Sequence, residues 1–267
     1  MPLSSLSVAR AAAEFGNAHN VQENMKAKPG LYVGWMVVAL TTSACVTPRA
    51  TDTLLHFTEQ DRDGRALATH MRVNREYLRM DDGAEGDFVL LDRGARTVYS
   101  VSTADQTMLV IKPLPLTLAR PPVFEQGIER DAAVFPAVAG RPVVHYRLLT
   151  NGKICTEVYA AAGLLPEVAA ALREYHEIMA GEQAQTQGRM SEFGQSVCDL
   201  AEWVFAPARY LDQGFPVRQV SHDGRVRQLV DFKTLPSGGD SWHRLPQDYR
   251  RYSIGDMVES DFSLRSK

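Results

Sequence analysis

Residues 140–159 read GRPVVHYRLLTNGKICTEVY and contain the clearest β-hairpin of the chain. Residues 143–149 and 154–159 are two runs of strand-forming residues, and Asn151-Gly152 lies between them. Asn-Gly favours a two-residue connection between antiparallel strands, because both residues tolerate positive φ. The stretch therefore predicts an antiparallel hairpin near the middle of the chain.

A series of short strands precedes this hairpin. Apolar and polar residues alternate from residue 67 to residue 74, which is typical of a strand with one buried face. Asp61-Arg-Asp-Gly64 reads as a turn, since it lacks the further ligands of a calcium loop. Strands are predicted at 54–59, 67–74, 77–80, 88–92, 97–102 and 107–112, which together indicate an antiparallel meander.

The periodicity becomes helical after the hairpin. Pro166 opens a first predicted helix, and Gly181 with the Gln-rich stretch that follows is predicted to end it. A second helix is predicted to end before Pro207. The first apolar stripe consists of Val168, Leu172, Tyr175 and Met179, and the second of Met190, Phe193, Val197, Leu200 and Val204.

The remaining segments are loops and a late hairpin. Residues 113–122 contain four prolines and are predicted as a loop or an edge. Residues 215–221 and 225–232 are predicted to pair, and 241–245 to form a weak strand or a turn. Because two amphipathic helices cannot bury their stripes alone, the chain is predicted to be mainly β (α+β), with the helices on a curved sheet.

The N-terminal part has the layout of a secretory signal peptide. Met25-Lys-Ala-Lys28 is basic, residues 31–40 are apolar, and Thr42-Ser-Ala44 precedes Cys45 as a cleavage site of small residues. The apolar run is shorter than the roughly 20 residues that a spanning helix needs. Residues 1–24 do not fit this pattern, and we interpret them as a non-native upstream extension or a disordered segment.

The ending at Cys45 resembles the lipobox of bacterial lipoproteins, although Thr42 stands where that motif usually has Leu. The resemblance implies diacylglycerol on the Cys45 thiol, cleavage before Cys45, and acylation of the new amino group with a fatty acid such as palmitate. Two or more acyl chains anchor a protein stably. Val46 in place of Asp implies the outer membrane, with the protein facing the periplasm. Plain secretion, an uncleaved anchor and a cytoplasmic protein remain alternatives.

With Cys45 lipidated, two cysteines remain in an oxidising compartment. An even remainder predicts a disulfide between Cys155 and Cys198. Two buried free thiols are the alternative.

Four segments resemble a group of uncharacterised bacterial envelope lipoproteins of unknown function: 96–112, 140–159, 214–232 and 245–252. None of them is a catalytic motif. Such proteins are similar in architecture to the lipoprotein-carrier fold (LolA/LolB-like). The resemblance implies an unclosed half-barrel with two amphipathic helices on its concave face and a cavity for acyl chains. The longer helical insertion departs from this pattern, so the cavity could be open or filled by the protein's own side chains.

These interpretations divide the chain into five parts. They are the extension 1–24, a signal peptide 25–44, a tether 45–53, one domain 54–254 with a helical insertion 164–210, and a disordered tail 255–267.

The sequence contains no complete catalytic or metal-binding motif. His176-Glu177 begins like a zinc-protease helix, but Ala180 stands where the second histidine would be. No nucleophile elbow, phosphate loop or dinucleotide fingerprint occurs. The net charge of −3 indicates no nucleic-acid partner. We therefore predict no catalytic residue, no metal and no cofactor.

Several large apolar side chains could line a ligand cavity or form a plain core. The candidates for the cavity are Met71, Tyr99, Met108, Met179 and Phe193. The basic residues Arg218, Arg225 and Arg227 could meet lipid phosphates or form a solvated strand face.

The function expected from these observations is non-catalytic binding of a hydrophobic ligand or a lipoprotein by an anchored envelope protein. The alternative is a structural or interaction lipoprotein that docks an envelope partner and has no ligand cavity. A hydrolase or a thiol redox enzyme is a third, weaker hypothesis.

Overall fold

The computed structural model describes residues 51–83, 86–189, 196–237, 241–253 and 255–256, with the backbone alone for 186–189. The predicted signal peptide and Cys45 lie outside these residues, as do nearly all of the predicted tail. The strands are β1 (Thr51–Gln60), β2 (Ala66–Val73), β3 (Tyr77–Asp81), β4 (Phe88–Asp92), β5 (Thr97–Ser102), β6 (Thr107–Ile111), β7 (Gln126–Arg130), β8 (Phe135–Val138), β9 (Arg141–Thr150), β10 (Lys153–Ala161), β11 (Phe215–Ser221), β12 (Val226–Pro236) and β13 (Arg250–Tyr252).

The described residues form one mixed, unclosed sheet of thirteen strands. Its order is β13-β6-β5-β4-β3-β2-β1-β12-β11-β10-β9-β7, and β8 also pairs with β9. Every pairing is antiparallel except that of β13 with β6, which is parallel. The prediction of a mainly β chain is therefore confirmed.

The predicted meander is present as β1 to β6, where each strand pairs with the next along the chain. The turn after β1 is closed by Asp61, whose carboxylate accepts hydrogen bonds from the backbone N–H groups of Asp63 and Arg65. Gly64 adopts φ of 82° in this turn. Asp61 thus serves the hairpin, as the sequence indicated.

The central hairpin joins β9 to β10 through Asn151 and Gly152, whose φ angles are 51° and 75°. Two positive φ values are the geometry that Asn-Gly favours. The late hairpin β11–β12 turns at Gly224, and β12 then pairs along β1. This pairing joins the meander to the second half of the sheet.

The first helix, α1 (Pro166–Arg189), is longer than predicted. The prediction that Gly181 ends it was wrong, because the glycine serves a close contact. A Cβ at Gly181 would lie 2.2 Å from the carbonyl oxygen of Leu114 in the proline-rich segment. Val168, Leu172 and Ile178 of α1 are buried in the main core of the sheet.

The second helical segment is shorter and irregular. Helix α2 (Val197–Leu200) leads into a π-helical turn (Ala201–Phe205), and a 3-10 turn (Arg209–Leu211) follows. Met190 and Phe193 lie outside the described residues. Among the helices that the structure describes, none has the length and apolar character to cross a membrane.

Several boundaries differ from the predictions. β1 begins at Thr51, so residues 51–53 belong to the sheet and not to the tether. Residues 241–245 are a turn, in which Arg244 N–H donates to the Ser241 carbonyl at 2.9 Å. β7, β8 and β13 were not predicted, since these short strands carry no alternating apolar pattern and depend on their neighbours for pairing.

Candidate functional site

The side chains suggested as cavity lining lie in the packed interior or beside it. Met71 is 1% exposed in the main core, and Met108 is 0% exposed in a second core cluster. Met179 and Tyr99 are partly buried against those two clusters, respectively. Phe193 lies outside the described residues. The four described residues fit the plain-core alternative, because none of them lines the cavity between the helical segment and the sheet.

A cavity of about 280 Å³ lies between the helical segment and the sheet. Its walls come from β1, β2 and β9 to β12 on the sheet side, and from α1, the π-helical turn and the 3-10 turn on the other. Its surface includes apolar side chains, hydroxyl groups and charged groups. It is therefore an amphipathic site, and not the Met-rich cavity that the sequence suggested.

A disulfide between Cys155 of β10 and Cys198 of α2 supports one wall. Their Cα atoms lie 5.0 Å apart, and both side chains are buried. Ser196 caps α2 by accepting a hydrogen bond from the Cys198 N–H at 3.2 Å. The bridge thus holds the start of the π-helical turn against β10. The π-helical turn in turn places Glu202 and Trp203 at the cavity.

His176 and Tyr210 form a neutral hydrogen-bonded pair at the cavity. His176 Nε2 lies 2.8 Å from the Tyr210 hydroxyl oxygen. Burial, with the charge of Arg227, lowers the pKa of His176 to about 4. Burial also raises the pKa of Tyr210 to about 12. Both side chains are therefore uncharged at pH 7.

His176 has no metal-binding surroundings in the structure. The part of the chain that the structure describes contains no cluster of three or more His, Cys, Asp or Glu side chains suited to a metal ion. His176 is a wall residue of the cavity, bonded to a tyrosine.

Two buried threonine hydroxyls at the cavity differ in their partners. Thr156 Oγ1 donates a short hydrogen bond to Glu202, whose pKa is raised by burial. Thr150 is 0% exposed, and its Oγ1 has no hydrogen-bond partner within the described residues. An unpaired buried hydroxyl costs about 1–3 kcal/mol. Thr150 is therefore a point where a ligand atom would gain a bond.

The late-hairpin arginines separate into two environments. Arg218 is exposed and donates to Gln228 Oε1 at 2.9 Å, which fits the alternative of a solvated strand face. Arg225 and Arg227 line the cavity instead. Arg225 Nε donates to Asp223 at 2.8 Å, and Arg227 Nε lies 3.2 Å from Glu59 in an ion pair. The Arg227 pair is not aligned as a hydrogen bond.

Arg209 is a cavity residue that the sequence analysis missed. Its Nη1 donates to the carbonyl oxygen of Leu149 at 2.9 Å, and its Nη2 donates to that of Gly127. Burial lowers the pKa of Arg209, while the charge of Asp212 acts in the opposite direction. No local sequence pattern indicates that Arg209 lies at a cavity, because its hydrogen-bond partners come from β7 and β9.

No protein family and no curated protein matches the sequence. An uncharacterised conserved protein from Thermus thermophilus is similar in structure, with a TM-score of 0.40 and 10% identity over 76% of this chain and 90% of that chain. PNGF-II is similar with a TM-score of 0.40 and 8% identity over 79% of this chain, which spans 33% of PNGF-II. Neither likeness is close enough to indicate a function.

Proposed function

We propose that this protein is a lipid-anchored, periplasm-facing protein of a bacterial outer membrane that binds a hydrophobic ligand or the apolar part of a lipoprotein, without turnover. The anchor is supported by the basic, apolar and small-residue pattern that ends at Cys45. The proposal includes a half-barrel like that of lipoprotein carriers, with the helices on its concave face.

The observation that carries the binding function is the cavity of about 280 Å³ between helices and sheet. Small-molecule sites usually measure about 300–1,000 Å³, so this one lies just below the lower end of that range. Such a volume suits one small molecule or one short chain, so of a lipoprotein it would hold part of a single acyl chain. Leu148 and Trp203 supply apolar surface, while the hydroxyl and charged groups would orient the ligand.

Native mass spectrometry of the protein extracted from membranes tests the binding. We expect an added mass that dissociates on activation and yields a small apolar compound. The variant Ala206→Trp places a large side chain at the cavity wall and should remove the added mass. Ala133→Trp, at an exposed position, is the matched control and should retain it. Bare protein in every preparation would contradict the proposal.

The anchor has a separate test. The mass of the mature amino terminus should correspond to a chain that begins at Cys45 with added acyl groups. Recovery of an unmodified chain that starts at residue 1 would contradict the anchor and leave the cavity untouched.

A docking role without a ligand is the second candidate, and the exposed edge of the sheet favours it. All five residues of β7 are exposed, and β7 ends the sheet order. Unpaired strand edges can accept a strand from a partner. Under this alternative, Ile128→Lys would abolish co-purification of an envelope protein, whereas under the ligand proposal it would leave the bound compound in place.

A further inference from the structure

Arg209 differs from the other cations of the cavity because its charge is not neutralised locally. Its guanidinium donates two hydrogen bonds to backbone carbonyl oxygens, and no carboxylate of a described residue lies within ion-pair distance of it. Asp212, which acts on it electrostatically, is itself 3.0 Å from Arg173. Arg209 therefore brings a guanidinium without a counter-charge to the cavity wall.

The two other cavity arginines are already paired with carboxylates. Arg227 lies 3.2 Å from Glu59, and Arg225 lies 2.8 Å from Asp223. The side chain of Asp223 is only 6% exposed, so water hardly competes for its hydrogen bond with Arg225. An anionic ligand therefore gains most at Arg209.

The negative groups of the cavity are occupied as well. Glu59 is paired with Arg227, and Glu202 accepts the hydrogen bond of Thr156. Burial favours the uncharged form of Glu202. Asp61 accepts two backbone hydrogen bonds within its own turn. Among the described lining residues, no carboxylate is left unpaired to bind an amine group of a ligand.

Thr150 and Arg209 both line the cavity, and a hydrogen bond to the backbone of β9 connects them. The Leu149 carbonyl that receives the Arg209 hydrogen bond belongs to the residue before Thr150. The Thr150 side chain is buried, lines the cavity and has an Oγ1 without a partner in the described chain. A carboxylate has two oxygens, so it can accept one bond from a guanidinium and another from a hydroxyl.

We propose that the cavity binds a short- or medium-chain fatty acid, with the carboxylate held by Arg209 and Thr150 and the chain against Leu148 and Trp203. This inference rests on the proposed function and specifies its ligand class. The cavity volume of about 280 Å³ limits the length of the chain. The hydrogen bonds to a charged group are stronger than those to a neutral one, so the acid is favoured over the alcohol of equal length.

Isothermal titration calorimetry at pH 7 tests the inference, with octanoate and octanol as the two probes. The full chain, purified from the cell fraction that contains it and reconstituted in phospholipid nanodiscs, is compared with empty nanodiscs. We expect octanoate to bind about tenfold more tightly than octanol, the ratio that one charge-assisted hydrogen bond supplies. Equal affinities, or failure of both probes to bind, would overturn this inference, whereas the proposed function is overturned only by bare protein in native mass spectrometry.

Variants locate the carboxylate. Arg209→Met should reduce the affinity for octanoate about tenfold and leave that for octanol within about twofold. Arg218→Met, which removes an exposed arginine outside the cavity, should change neither. Arg209→Lys keeps the charge and should keep a preference for octanoate. An unchanged octanoate affinity in Arg209→Met would overturn the assignment, and the comparison of octanoate with octanol in the native protein decides the case if that variant does not fold.

Discussion

The meander and the cavity region are built from the same sheet in opposite ways. Strands β2 to β6 follow one another in the chain and in space, and residues such as Leu78 and Leu91 are 0% exposed between them. The cavity region combines β9 to β12 with a helical segment inserted between β10 and β11. It contains the disulfide, the π-helical turn, the neutral His176–Tyr210 pair and the Thr150 hydroxyl, which has no hydrogen-bond partner among the described residues. In the meander, strands that are consecutive in the chain pair and leave a packed core. In the cavity region, segments from distant parts of the chain come together and leave a space lined by polar groups.

Removal of the disulfide should be the most severe test of the cavity region. The bridge joins residues 43 positions apart, and the chain-entropy model assigns about 4 kcal/mol to a loop of this size. Cys155→Ala with Cys198→Ala should lower the free energy of unfolding by that amount in urea. Hydrogen exchange should increase at α2 and the π-helical turn, while β4 and β5 stay protected.

The control for this prediction is alkylation of the native protein without reductant. Both cysteines should resist labelling. Ready labelling of both would contradict the bridge and return thiol chemistry to consideration.

In the meander, the largest expected loss of stability comes from removal of a buried carboxylate. Asp52 is 0% exposed and accepts hydrogen bonds from Arg72, Asn74 and Ser237. Asp52→Ala leaves the Arg72 charge without this partner, which should cost about 3 kcal/mol, the lower end for a broken buried pair. Urea unfolding measures the loss. Asp105→Ala, at an exposed turn position, is the control and should change stability by less than about 0.5 kcal/mol.

Acid should weaken the junction of the two regions. Burial acts to raise the pKa of Asp223, but hydrogen bonds from Arg62 and Arg225 outweigh it and lower the pKa to about 2. Because the folded-state pKa lies below the ordinary value of 3.8, the contribution is complete above pH 4 and is lost as the pH falls through 2. It amounts to about 2 kcal/mol.

Urea titrations between pH 5 and pH 2, values chosen to bracket the shift, should show this loss in the native protein. Asp223→Asn should abolish that part of the pH dependence. A native pH profile equal to that of the variant would contradict the assignment.

The smallest expected change in stability comes from two hydroxyl groups of the cavity. Thr150→Val removes a buried hydroxyl without a described partner and should stabilise the protein by about 1 kcal/mol. Thr156→Val removes the donor to Glu202 and should destabilise it by a similar amount. Thermal unfolding of both variants measures the two signs. If both variants changed stability in the same direction, the Thr150 hydroxyl would not be an unsatisfied group of the cavity.

The sequence predicted the fold where structure depends on near neighbours in the chain. Alternation in residues 67–74, the Asn151-Gly152 turn and Pro166 each act through local backbone geometry, and each element is present. Gly181 was misread because its reason is a contact with Leu114, far away in the chain. The meander could therefore be read from the sequence, and the extent of α1 could not.

The cavity could not be predicted, since its walls come from nine separate elements of the chain. Residues suited by chemistry to an apolar cavity, such as Met71 and Met108, are buried in cores. Arg209 and Thr150 carry no sequence signal, because an unpaired buried group is defined by what surrounds it.

By itself, the sequence determined the mainly β character, the meander and the central hairpin, because alternating burial and turn residues act over a few positions. The expected leader and anchor at Cys45 also come from the sequence and remain predictions. Only the tertiary structure decided where space remains inside the molecule and which polar groups face it, because packing between distant segments sets both.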